Sequence, residues 1–417
     1  MSPAVKAGPR VPRPCIVLFL AALGGMSGSV HAELWTVENS VQSRFELNDN
    51  VTLSRISPGT VNTLSLSNTL NASRQLENSA THVNAAFNAL RQRGNGGNDR
   101  IDGQIGLTQT LTDPLNEFSV SGLYSQDFNN AVQNADVTVG RGLRRTTALS
   151  ASWSRAITEL LSASTQVSTS LTGYGKQVTG AAGFTNTSVS ASLSYRLTET
   201  DTLSVQLSHS DYRVDASSNH SQTNFVSVGM SRTLTERVSA SLNLGLYRTE
   251  SSAVSSRIAC PLEISLCRAG LVSYIVARSN ADSAANGLQY SSTYNYRFDE
   301  SSSFSFASGT QQTPSGAGAV TRGQSLSLGA THAFSETLNG SMGYALSRSK
   351  FQGTSQGGTA AQRSFSMSIS KLLAPELSLQ AGYQWSQANN VGSGNTAQSN
   401  SISVSLKYDW SRIDATR

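Results

Sequence analysis

Past residue 32 the chain carries histidine at four positions, His82, His209, His220 and His332, and cysteine at two, Cys260 and Cys267. A metal site needs such ligands a few residues apart or in a recognised spacing. None of the four histidines has a partner at such a distance, so no metal and no cofactor is expected. Nucleophilic hydrolysis needs a serine or aspartate held beside a positioned histidine. Serine is so frequent here that Ser–His proximity arises without purpose. No catalytic residue is assigned, and the chain is not expected to be an enzyme. No glycine-rich phosphate loop follows a strand and opens a helix.

The elements that would position any site are clearest between Arg363 and Trp410. Phe365, Met367, Ile369, Lys371 and Leu373 alternate with Ser364, Ser366, Ser368 and Ser370. After a break at Ala374-Pro375-Glu376, Leu377, Leu379, Ala381, Tyr383 and Trp385 share one face. A loop over 389–398 leads to Ile402, Val404, Leu406, Tyr408 and Trp410, again at every second position. Strand side chains alternate between faces, so each strand has one apolar face and one of small polar groups. Tight turns at one end, long loops at the other and this alternation predict an all-β fold. It is a transmembrane antiparallel up-and-down barrel of about eighteen strands.

The rest of the chain repeats the unit. Tight turns are predicted at Glu77-Asn78, Thr112-Asp113-Pro114, Thr158-Glu159, Thr198-Glu199, Thr235-Glu236, Asp299-Glu300 and Ser335-Glu336. Between them run loops rich in Gly, Asn and Ser, including 93–100, 129–142, 173–184, 215–221, 312–321 and 352–361. A solenoid or propeller could share such a period, but their aspartate and tryptophan signatures are missing.

Composition agrees. The 417 residues are 38% hydrophobic with a mean hydropathy of −0.23, which a barrel wall tolerates because only alternate positions need be apolar. The one continuous apolar run, Cys15–Leu23, follows Lys6, Arg10 and Arg13 and precedes Val30-His31-Ala32. It reads as a signal peptide over 1–32, leaving a barrel over 33–417. Cleavage would remove three basic residues and no acidic one, taking the net charge from +5 to +5 − 3 = +2. So low a charge gives no reason to expect nucleic acid as a partner. Export also favours a disulfide between Cys260 and Cys267.

In this fold the apolar face meets outer-membrane lipid, and Ser, Thr, Gly, Asn and Gln line a wide aqueous lumen. The cell outer membrane of a Gram-negative bacterium is the expected location, with the barrel-insertion machinery as an assembly partner. Aromatic and cationic side chains on the outward face suit an interfacial girdle. The candidates are Trp153, Arg155, Arg232, His332, Lys371, Tyr383, Trp385, Tyr408 and Trp410. The stretch Ser251–Ser283 is unusually apolar for a loop. It could fold inward as a constriction or cap the mouth, and both readings stay open.

The N-terminal stretch Phe45-Glu46-Leu47-Asn48-Asp49-Asn50-Val51 is followed by Ile56-Ser57-Pro58-Gly59. Leu64-Ser65-Leu66-Ser67, Arg74 and Glu77 come next. Together they resemble the outer-membrane β-barrel proteins associated with exopolysaccharide export and PEP-CTERM-type gene clusters. The likeness covers the first two strands and carries no catalytic residue. It implies a hydrated channel for exopolysaccharide export, with polysaccharide and periplasmic export components as partners. A general diffusion porin for small polar solutes, or a structural or adhesive surface barrel, fits the same strand pattern.

Overall fold

The computed structural model describes residues 34–95, 97–129, 142–175, 182–215, 219–259, 275–315, 319–351, 359–389, 396–410 and 413–416. The segment read as a signal peptide, and both Cys260 and Cys267, lie outside the described residues. The strands are β1 (Leu34–Asn48), β2 (Val61–Gln75), β3 (Ser79–Arg93), β4 (Arg100–Thr112), β5 (Asn116–Asn129) and β6 (Gly142–Ala156). There follow β7 (Leu161–Tyr174), β8 (Phe184–Arg196), β9 (Asp201–Val214), β10 (His220–Thr235), β11 (Val238–Ala259) and β12 (Ile275–Arg297). The last are β13 (Ser302–Ser315), β14 (Ala319–Ser335), β15 (Leu338–Phe351), β16 (Thr359–Ala374), β17 (Leu377–Asn389), β18 (Thr396–Asp409) and β19 (Ile413–Thr416).

Each strand from β1 to β17 pairs antiparallel with the next, and β1 also pairs with β18 from Ser40↔Asp409 to Asn48↔Ser401. Beyond Trp410, β19 continues the line of β18 and pairs with Leu34–Val37. The result is a closed eighteen-strand barrel. Closure pairs every wall strand on both sides, so backbone groups need no water.

The alternation sets the two faces. Phe87 at 56%, Leu207 at 56% and Leu246 at 62% exposure stand for a continuous outward belt of bare apolar side chains. Water would not tolerate a patch of that extent, whereas acyl chains match it. Neither β-branching nor helix propensity decides these segments. Serine is a poor strand former, and what holds it in place is the apolar face of its neighbours.

The tight turns fall where predicted, and their composition has a local cause. Thr158 Oγ1 accepts hydrogen bonds from the N–H groups of Leu160 and Leu161. Thr198 does the same for Thr200 and Asp201, and Ser335 for Thr337 and Leu338. A short side-chain acceptor satisfies turn donors that no ladder reaches. At the β4–β5 turn this acceptor is Asp113. The Leu115 N–H first, then the Asn116 side chain and N–H, hold its carboxyl below the usual carboxylate range. A depressed folded value contributes stability above the unfolded pKa, near pH 4, and loses it as pH falls through the folded value. The urea midpoint of the folded barrel is therefore expected to drop on acidification below about pH 4, and to drop less in Asp113→Asn. Parallel titrations of the two proteins check this.

Two stretches depart from the sequence reading. Ser251–Ala259 and Ile275–Ser283 form no loop: they pair with each other and prolong the β11–β12 hairpin. The predicted loop at 312–321 is likewise the end of a hairpin, with β13 and β14 paired up to Ser315↔Ala319. Serine on both faces blurs the alternation in the first, and Pro314 with Gly316 and Gly318 does so in the second, which is why these segments read as loops. The two hairpins also part company. The β12–β13 ladder runs only from Arg297↔Ser303 to Ser291↔Gly309. Beyond it, the edge of β12 is held by side chains. Thr310 Oγ1 accepts from the Tyr290 N–H at 3.0 Å, and Arg322 Nη2 donates to the Leu288 carbonyl at 3.0 Å.

Candidate functional site

The lumen is lined by hydroxyls that face each other across the strand pairs. Ser121–Ser150, Ser164–Ser192, Ser168–Ser188, Ser241–Thr293 and Ser341–Ser368 lie within 2.6 to 2.8 Å. Directly opposed side chains are close enough for such bonds. Each hydroxyl keeps acceptor capacity for a solute. Several of the inward charges are paired. Arg144 grips Asp127 through two bonds of 2.9 and 2.6 Å, Arg44 meets Glu46 at 2.7 Å, Arg100 meets Asp102 at 2.9 Å and Lys407 meets Asp409 at 2.7 Å. The inner wall therefore offers polarity with little net field.

The outer mouth differs from the open lumen expected from the sequence. Phe184 on β8 and Tyr212 and Val214 on β9 project inward, with the Phe184 and Tyr212 rings 5.2 Å apart. They form one buried cluster with Val320 on β14, and Tyr174 and Ala182 pack against it. β9 and β14 are separated by four intervening strands in the wall. Side chains so placed meet only if one element crosses the mouth. The β13–β14 hairpin, released from β12 past Gly309, is that element.

A second piece of the rim folds in beside the closing seam. Leu53, between β1 and β2, is buried with Ala388 of β17 and Ala397 of β18. Its φ of 44° lies in the left-handed region, which costs a leucine energy unless its surroundings hold it. Here Asn50 holds it. The Leu53 N–H donates to the Asn50 carbonyl, and Asn50 Nδ2 donates to the carbonyls of Ser54 and Gln398. Asp49 accepts from the Asn400 N–H at 2.7 Å and from Asn400 Nδ2 at 2.8 Å. The Asn48-Asp49-Asn50 stretch thus anchors the β1–β2 turn to the far end of the chain.

The girdle candidates sit on strands' outward faces, save Trp410 one residue past β18, and at two heights. Trp153, Arg155, Arg232, His332, Lys371, Tyr408 and Trp410 lie near the tight turns. Arg232 reaches Asp201 at 3.3 Å, and Tyr408 stacks edge-on against Trp410 at 5.1 Å. Tyr383 stands at the middle of β17, and Trp385 lies nearer the loop end, level with Phe365 and Tyr344. Among the described residues, Ser302 Oγ lies 2.9 Å from His332 Nδ1. It faces outward, and His332 stacks on Phe334. Among the described residues no group of His, Cys, Asp and Glu is arranged to hold a metal.

No protein-family model matches the chain, and no curated protein matches it either. Among solved structures, it is similar to the ferric-catecholate import receptor Fiu of E. coli, with 8% identity, 92% of this chain and 82% of that chain covered, and a TM-score of 0.48. It is also similar to Pseudomonas aeruginosa OpdL, with 10% identity, coverage of 91% and 99%, and a TM-score of 0.45. For Acinetobacter baumannii OccAB3 the figures are 10%, 91% and 99%, and 0.46. The closed ring and its bare apolar belt make this chain an integral β-barrel of the outer membrane, with a channel-like polar interior.

Proposed function

We propose that the barrel is a gated, hydrated conduit through which a neutral carbohydrate polymer, an exopolysaccharide, crosses the outer membrane. The observation that carries this reading is the inner wall, where hydroxyl pairs stand among several ion-paired charges. Such a wall exchanges hydrogen bonds with sugar hydroxyls without holding any one of them tightly, and gives ions little reason to prefer either sign. The bridged mouth supports a resting closed state, which suits a polymer exit better than a constantly open sieve. The protein supplies a path and no chemistry, and periplasmic export components would deliver the polymer.

Deleting the gene is the test. Surface polymer should fall while uptake of small solutes stays normal. Normal polymer with slowed uptake would make the protein a diffusion porin instead. Intact polymer and intact uptake, with lost adhesion, would make it a surface-binding barrel.

The charge pairing has its own consequence. Asp127→Asn leaves the Arg144 guanidinium facing the lumen without its bidentate carboxylate. The reversal potential of the reconstituted channel in a salt gradient should then shift toward anion preference. The wild type should sit near zero.

A further inference from the structure

The wall from β8 to β12 carries a groove of about 940 Å³. Strand parity places it on the outside. Its two flanking rows are outward side chains, and the row between them, Ser208, Phe225, Tyr247 and Gly287, has the opposite parity and points inward. The row nearer the tight turns is apolar: Leu207, Val226, Leu246 and Leu288. The row nearer the loops is mostly polar: His209, Asn224, Arg248 and Asn286, with Val189 at its β8 end. Apolar below and polar above fixes the depth of the groove at the outer boundary of the hydrocarbon.

A hollow at that depth cannot stay empty without forfeiting dispersion contacts. The molecules around it are lipids, so an acyl chain is the occupant that the location supplies. The polar row bears on the headgroup. Arg248 spends one nitrogen on Glu250 at 2.7 Å and keeps further donors. His209 Nδ1 is engaged by Asn224 Oδ1 at 2.8 Å, which leaves Nε2 for a ligand. The carboxylates one row further out are already occupied, Asp211 by Arg213 and Glu250 by Arg248.

We propose that this groove seats one phosphorylated, multiply acylated glycolipid of the outer leaflet. One acyl chain lies along Leu207, Val226, Leu246 and Leu288, and a phosphate is held by Arg248 and His209. The site is on the lipid face and does not depend on what crosses the lumen.

The test uses the folded full-length protein in phosphatidylcholine nanodiscs doped with bis-phosphorylated lipid A or its dephosphorylated form. Native mass spectrometry reads the lipid retained after detergent washing. Wild type should retain one phosphorylated lipid A in preference to both other lipids. His209→Gln with Arg248→Gln should lower that retention about tenfold, as expected for lost charge-assisted hydrogen bonds. Val226→Trp, which fills the groove, should abolish retention of both lipid A forms. Leu246→Phe serves the same purpose if the tryptophan variant fails to fold. Equal retention of all three lipids would overturn the proposal, as would unchanged retention in the variants. So would displacement of the bound lipid by inorganic phosphate alone.

Discussion

Replacing Val320 with serine is expected to open the channel. Val320 is 4% exposed, and its burial among Phe184, Tyr212 and Val214 is what ties the β13–β14 hairpin to the opposite wall. Burying a valine is worth about 1.5–3 kcal/mol. At about tenfold per 1.4 kcal/mol, losing most of that should raise the ratio of open to closed channels roughly tenfold or more. Val214→Ser, on the receiving wall, should act in the same direction. The double variant should add little, because both changes cut one contact. Planar-bilayer recordings read the open probability, and the gel shift between boiled and unboiled protein confirms folding. Unaltered conductance in two folded single variants would show that the hairpin does not close the path.

The second large effect concerns the wall itself. A Cβ at Gly245 would stand 2.6 Å from the Val226 carbonyl oxygen and 2.5 Å from Phe225 Cε2. The ring can rotate away, but the carbonyl belongs to the neighbouring strand's backbone and cannot. Gly245→Ala is therefore expected to destabilise the barrel by about 1–3 kcal/mol through overpacking. Adding Phe225→Ala should restore only part of the loss. Gly173 has nothing within 4 Å of its would-be Cβ, so Gly173→Ala should be neutral or slightly stabilising. Urea titrations of the four proteins give the comparison. Equal midpoints for Gly245→Ala and Gly173→Ala would refute the steric account.

The wall was legible in the sequence because its code is local. Phe365, Met367 and Ile369 against Ser364, Ser366 and Ser368 require only a period of two, and that period assigns faces without knowledge of neighbours. The turns were legible for the same reason, since Thr158, Thr198 and Ser335 act within three residues. Height was less legible. Alternation placed Tyr383 and Trp385 on the correct face but said nothing of their distance from the turn. The mouth was not legible at all. Phe184, Tyr212 and Val214 interrupt a mostly small and polar inner face, but inward Phe225 and Tyr247 do so too without joining the cluster. The cluster's partner Val320 lies more than a hundred residues away, in a stretch whose glycine and serine read as loop. No spacing rule connects them.

The pairing of Leu34–Val37 with Ile413–Thr416 has a kinetic meaning. Every other neighbouring pair joins strands adjacent in the chain, so those hairpins can assemble in any order at small entropic cost. The final seam joins segments as far apart in sequence as Asn48 and Ser401, and its loop-closure entropy must be met before any of its contacts form. Until then β1 and β18 are two open edges, each a template for association with other chains. Ring closure is thus the slow, aggregation-exposed step. The Asp49–Asn400 clasp lies at one end of that seam and the four residues of β19 at the other. A tag fused after residue 417, or a chain stopped at Trp410, is expected to slow this step more than any change within a single hairpin.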